Sequence, residues 1–156
     1  MKRIFPTLAA LAFAFPAHAQ EVRNCYTEDG DSFLTQISVL AEPWEENTRT
    51  FSNGSVRIAL LDTWDPANYP MHLMLTYWPN DGIEAEGRLC FIVSDKEGYG
   101  FQNLTLTGMQ ADYDPAIGLL FEIPAQRYDA DSESVADGVL SVTLNRASDV
   151  VTASYQ

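Results

Sequence analysis

The chain has 156 residues, 46 % of them hydrophobic and 12 % aromatic, with 22 acidic residues against 9 basic ones. That length fits one domain, and the apolar content is too high for a disordered chain. No run reaches the roughly 18 continuous apolar residues of a membrane-spanning helix, and a strongly acidic surface repels both nucleic-acid phosphates and anionic membranes.

The chain opens as an export leader. Met1-Lys2-Arg3 is basic, residues 4–15 are apolar, Pro16 breaks the run, and Ala17-His18-Ala19 places small side chains where a signal peptidase accepts nothing larger. The stretch has no polar face, so an amphipathic helix does not explain it. Cleavage after Ala19 leaves a domain of residues 20–156, periplasmic or secreted, with no cysteine at its start to carry a lipid. Lys2 and Arg3 leave with the leader, so 7 basic residues face 22 acidic ones and the formal charge is −15. Such a surface attracts a basic protein or a cation.

Cys25 and Cys90 are the only cysteines. In an exported chain an even pair reads as a disulfide, here closing a loop that stabilises by about 4 kcal/mol in the chain-entropy model. No C-x-x-C pair is present, so thiol–disulfide exchange has no support.

From there the sequence alternates with period two. The first strand candidate is 33–40, although residues 31–40 also suit a short helix. Val56, Ile58 and Leu60 alternate with Arg57 and Ala59; Met71, Leu73, Leu75 and Tyr77 with His72, Met74 and Thr76. The run from Ile83 to Val93 does the same, and 101–107, 117–123, 139–144 and 150–155 are further candidates. Asn53-Gly54, Pro79-Asn80-Asp81-Gly82, Asp95-Lys96-Glu97-Gly98 and Asn145-Arg146-Ala147-Ser148 carry the residues that tight turns require. About eight strands joined by short connections predict an all-β, antiparallel sandwich or barrel, because parallel pairing needs longer crossovers.

Two segments echo each other: Trp64-Asp65-Pro66-Ala67 and Tyr113-Asp114-Pro115-Ala116, preceded by Asp62 and Asp112. They read either as duplicated ligand loops or as a recurrent turn, since Asp-Pro initiates turns well. Residues 124–138 read as a solvated acidic loop with Asp129, Asp131, Glu133 and Asp137. The candidate binding residues are therefore Asp62, Trp64, Asp65 and Tyr69, then Asp112, Tyr113 and Asp114, then Asp129, Asp131, Glu133 and Asp137.

Most catalytic and cofactor chemistries find no residues to perform them. Asp129-x-Asp131-x-Glu133 begins like a calcium loop, but Ser134 stands where glycine is needed and Leu140 where glutamate is needed. His72 is the only histidine beyond the leader. It shares a strand face with Met74, too few ligands for copper or zinc, and Met109 has no visible reason to join them. There is no G-x-S-x-G elbow, no P-loop and no dinucleotide fingerprint, so no cofactor is expected. Three function classes follow. The leading one is a non-catalytic acidic domain that binds another envelope protein, basic in character. The second is a carbohydrate- or calcium-binding module. The third is a carboxylate-based hydrolase, which 22 acids permit without pointing to any pair.

Overall fold

A computed structural model describes residues 18–25, 32–79, 87–96 and 98–156. Most of the expected leader, Asp29-Gly30-Asp31, the Asn80-Asp81-Gly82 turn, the strand start at Ile83 and the turn residue Glu97 lie outside them.

Eleven strands run through the described residues: β1 (His18–Ala19), β2 (Glu21–Asn24), β3 (Thr48–Phe51), β4 (Val56–Asp62), β5 (Met71–Tyr77), β6 (Leu89–Ser94), β7 (Asn103–Leu104), β8 (Gln110–Asp114), β9 (Gly118–Asp129), β10 (Ser134–Asn145) and β11 (Val150–Tyr155). They form two antiparallel sheets, as the alternation predicts. One has the order β2-β6-β5-β4-β3. The other has the order β1-β11-β10-β9-β7, with β8 also paired to β9. The arrangement is sandwich-like. Its core is made by the inward residues of both sheets: Val56, Ile58, Leu60, Leu73, Leu75 and Tyr77 from one, Phe121, Ile123, Leu140, Val142 and Leu144 from the other. Alternation places those side chains on one face because successive Cβ atoms point to opposite sides of a strand.

A second, smaller core lies on the opposite face of the β4–β6 sheet. There Leu34 and Val39 pack on Leu61 and Ile92, with Cys25, Leu40 and Met74 at its margin. Here the strand expected at 33–40 is replaced by two 3₁₀ turns, Ser32–Thr35 and Ile37–Val39. Two tight turns bring Leu34 and Val39 down on the same sheet face, which an extended segment would not do. The Cys25–Cys90 disulfide, with Cα atoms 5.3 Å apart, ties the chain after β2 to β6 beside this layer.

The expected acidic loop at 124–138 is also corrected. β9 continues through Asp129 and β10 starts at Ser134, so only a short turn separates two twelve-residue strands. Pro124, which suggested a break, faces Val139, whose own N–H and C=O pair with Gln156. The position therefore asks for no N–H toward β10, and proline is tolerated.

Candidate functional site

The two echoed segments share one turn, after Asp65 and after Asp114, but differ before it: Trp64 stands outside any strand, whereas Asp112, Tyr113 and Asp114, expected in a loop, belong to β8 and pair with β9. Asp65 Oδ1 accepts the Ala67 N–H at 3.1 Å, and Asp114 Oδ1 accepts the Ala116 N–H at 2.7 Å. Each aspartate bonds the backbone two residues on, which closes the turn locally. The pattern repeats at Asp129 Oδ1, which accepts the Asp131 N–H at 2.9 Å, and at Asn145 Oδ1, which accepts the Ala147 N–H at 3.0 Å. Asp62 Oδ1 holds the Trp64 N–H at 2.8 Å, and Asp112 Oδ1 the Tyr113 N–H. Asp137 Oδ1 accepts from Gln126 Nε2 across the β9–β10 ladder. The Ser132 hydroxyl, more than any other neighbour, holds the Asp129 carboxyl below its ordinary range. These carboxylates are thus turn and ladder acceptors before they are anything else. Among the described residues, no three or more His, Cys, Asp or Glu side chains converge as metal donors.

The candidate residues do not form one site. The segment of Asp62, Trp64, Asp65 and Tyr69 lies at one end of the sandwich with the turn of Asp129, Asp131 and Glu133, because Tyr69 stacks on Tyr128 with ring centroids 5.7 Å apart and planes at 24°. Tyr99 completes the group, 6.2 Å from Tyr69. Asp112, Tyr113 and Asp114 lie at the other end: Tyr113 and Pro115 border a cavity with Asn145 and Arg146, and Arg146 donates to the Trp78 carbonyl. Asp137 lies farther along β10 from the turn. A ligand spanning both echoed segments is therefore not what the fold assembles.

The Trp64 end carries the more specific geometry. Trp64 is 76 % exposed, and its backbone is left-handed at φ 58°, as is that of Tyr69 at φ 56°. Bulky residues rarely adopt this region, which costs about 1–2 kcal/mol each, and such strain is concentrated at functional positions. Behind the tyrosines is a cavity of about 340 Å³ whose wall includes Gln20, Tyr69, Asp95, Lys96, Arg127 and Tyr128. Asp95 is buried; it accepts from Gln20 Nε2 at 3.2 Å and pairs with Arg127 at 3.7 Å. Arg127 also covers the Tyr155 ring at 4.7 Å, and Lys96 covers Tyr99 at 5.2 Å.

Sequence reasoning found Tyr69 but missed Gln20, Asp95, Lys96, Arg127 and Tyr128. For the last two the signal was present, since the β9 alternation continues past Pro124. His72 sits on the outward face of β5, buried, with Nδ1 2.8 Å from Ser94 Oγ. Met74 packs against the smaller core and Met109 against the main one.

No protein family matches the chain, and no curated protein or solved structure is similar to it.

Proposed function

We propose that this chain is an exported, non-catalytic binding domain that holds a basic protein of the cell envelope against its Trp64 end. The observation that carries the reading is Trp64 itself: a large ring exposed to solvent, on a backbone pinned in a strained conformation by Asp62. Exposed tryptophan and tyrosine are the residues that anchor protein interfaces. A loop fixed in advance loses little freedom on binding, which leaves more of the contact energy as affinity. Tyr99 and Tyr128 extend the apolar surface, and Asp62, Asp65, Asp129, Asp131 and Glu133 make this end acidic. Acidic rims steer a basic partner and make its capture sensitive to salt.

The test is capture of partners from envelope extract by the tagged, processed protein at low and moderate salt. One stoichiometric partner, weakened by salt and lost with Trp64→Ala, supports the reading. Asp131→Lys with Glu133→Lys should slow its association and flatten the salt dependence. A partner held equally by Trp64→Ala and by wild type refutes the assignment to this end.

A further inference from the structure

The smaller core covers only part of the outer face of the β2-β6-β5-β4-β3 sheet. Leu34 and Val39 rest on Leu61 and Ile92, and beside that layer a groove of about 380 Å³ runs along β4, between β3 and β5. Strand register explains its shape. Ala59 lies between Thr48 of β3 and Met74 of β5, so the smallest side chain of the row makes the floor and its two neighbours the walls. Leu40, bridged to Leu61, stands at one end, and the row Thr50, Arg57 and Thr76 forms the other. The backbones of β3 and β5 are two strand spacings apart, about 10 Å, and the wall side chains narrow that to the width of one chain.

The two ends differ in chemistry. Arg57 is exposed, flanked by two threonines, and among the described residues no carboxylate pairs with it. Its charged neighbour is a second cation: burial and then the nearby Arg57 lower the Arg88 guanidinium from its ordinary value. Arg88 is engaged by the Gly54 and Ser55 carbonyls, and Arg49 by those of Glu45, Glu46 and Thr48. Arg57 is thus an uncompensated cation in a chain of formal charge −13, and an anion beside it would relieve the repulsion. Toward Leu40 the groove turns apolar. The Thr48 hydroxyl is already bonded to the Trp44 carbonyl at 2.8 Å, and Ala59, Met74 and Leu40 have no hydrogen-bonding side chain. A peptide lying there would leave backbone polar groups unpaired, whereas an alkyl chain has none to satisfy.

We propose that this groove binds a free fatty carboxylate, its head group at Arg57 and its chain lying over Ala59 toward Leu40. The Arg57 guanidinium pairs with a carboxylate through charge-assisted hydrogen bonds, and the Thr50 and Thr76 hydroxyls are donors beside it. Burial of the alkyl chain against Ala59, Met74 and Leu40 supplies the rest of the affinity. At about 380 Å³ the groove falls in the range of small-ligand sites. From Arg57 to Leu61 is four strand positions, about 13 Å, which suits a chain of medium length. The groove admits one chain rather than a bilayer surface, and the acidic protein repels anionic membranes. None of its residues belongs to the leader or to the Trp64 end, so the site is independent of the protein-partner reading.

The experiment is calorimetric titration of the processed protein with laurate, butyrate, dodecyltrimethylammonium and dodecyl maltoside, each below its micellar concentration, and with phosphatidylglycerol vesicles. Laurate should bind one to one. Butyrate, which lacks the chain, and the cationic and neutral amphiphiles, which lack the carboxylate, should all bind more weakly. Arg57→Gln alters an exposed side chain and should weaken laurate about tenfold, the loss of a hydrogen bond to a charged group, with the fold intact by circular dichroism. Ala59→Leu fills the floor and should abolish binding; if that variant does not fold, Arg57→Gln carries the test. Trp64→Ala should bind laurate as wild type does, so partner capture can fail while laurate binding succeeds, or the reverse. The proposal is overturned if laurate does not bind, if only the vesicles bind, or if the cationic or neutral amphiphile binds as tightly as laurate. It is equally overturned if Arg57→Gln or folded Ala59→Leu binds laurate as wild type does, or if Trp64→Ala loses it.

Discussion

His72 and Ser94 meet on the outward face of the β4–β6 sheet, imidazole Nδ1 2.8 Å from the hydroxyl, both buried. A histidine beside a serine suggests nucleophilic catalysis, but Ser94 is 1 % exposed, so a substrate has no approach to Oγ in this conformation. The pair reads as a buried hydrogen bond. Ser94→Ala should therefore destabilise by about 1 kcal/mol, the value of a typical intramolecular hydrogen bond. Urea denaturation checks it; an unchanged midpoint would show that the hydroxyl contributes nothing to the fold.

Gly100 is required by close approach. The chain returns here antiparallel to the start of β5, with Gly100 N–H bonded to the Asn68 carbonyl and Phe101 exchanging hydrogen bonds with Met71. A Cβ at this position would lie 2.2 Å from the Tyr69 carbonyl and 2.5 Å from that of Met71, both backbone atoms. Gly100→Ala should cost about 1–3 kcal/mol, the usual penalty of overpacking. It should also displace Tyr69, visible as a change in near-ultraviolet circular dichroism. Ala at Gly98, where nothing lies within 4 Å but φ is +75°, strains the backbone without striking a neighbour and serves for comparison.

These two relationships mark what alternation and turn chemistry can and cannot report. Strand β5 is legible residue by residue, because its inward Leu73, Leu75 and Tyr77 alternate with outward residues. The turns at Asn53-Gly54 and Asn145 are legible because backbone φ and side-chain acceptors are local properties. The cysteine pair was legible because only two cysteines were available. By contrast, residues 33–40 depend on a second sheet face to cover, which no local pattern announces. The extension of β9 was hidden by a proline tolerated only because Val139 turns its hydrogen bonds to Gln156. The cavity joins Gln20, Tyr69, Asp95 and Tyr128, four positions far apart in sequence, and only the sheet pairing brings them together.

The disulfide should hold the smaller core in place. Cys25 and Cys90 are 65 positions apart, a separation for which the chain-entropy model gives about 4 kcal/mol. Replacing both with serine should lower the denaturant midpoint accordingly, and reduction of the wild-type protein should reproduce the shift. The loss should be felt first where Leu34 and Val39 rest on Leu61 and Ile92, as faster amide exchange in that layer.

Tyr77 predicts the alkaline limit of stability. Its phenol is held protonated well above its ordinary value of 10.0, first by burial and then by the nearby Asp149 carboxylate. Burial also raises Tyr155, partly opposed by Arg127. The unfolded chain releases these protons near the ordinary value, whereas the native chain keeps them. The tyrosines' contribution to stability is therefore fully present below about pH 10 and is lost as pH rises above it, because the unfolded state then binds fewer protons. Thermal melts across that range should show the fall, and Tyr77→Phe should blunt it. A Tyr77→Phe variant with the wild-type alkaline profile would refute the assignment.

Trp64 allows the strain and the ring to be separated. With φ at 58°, the residue pays about 1–2 kcal/mol that glycine would avoid, offset in part by the greater freedom of glycine in the unfolded chain. The ring is 76 % exposed, so its removal should cost the fold little. Trp64→Gly should then melt at the wild-type temperature or a few degrees higher, while Trp64→Ala, which keeps the strain, should melt slightly lower than Trp64→Gly. Both should lose the captured partner, since both lose the ring. A Trp64→Gly variant that is clearly less stable than wild type would mean that the ring packs in solution and that the exposed anchor does not exist. A variant that is more stable but binds no partner would show strain retained at the expense of stability where binding needs it.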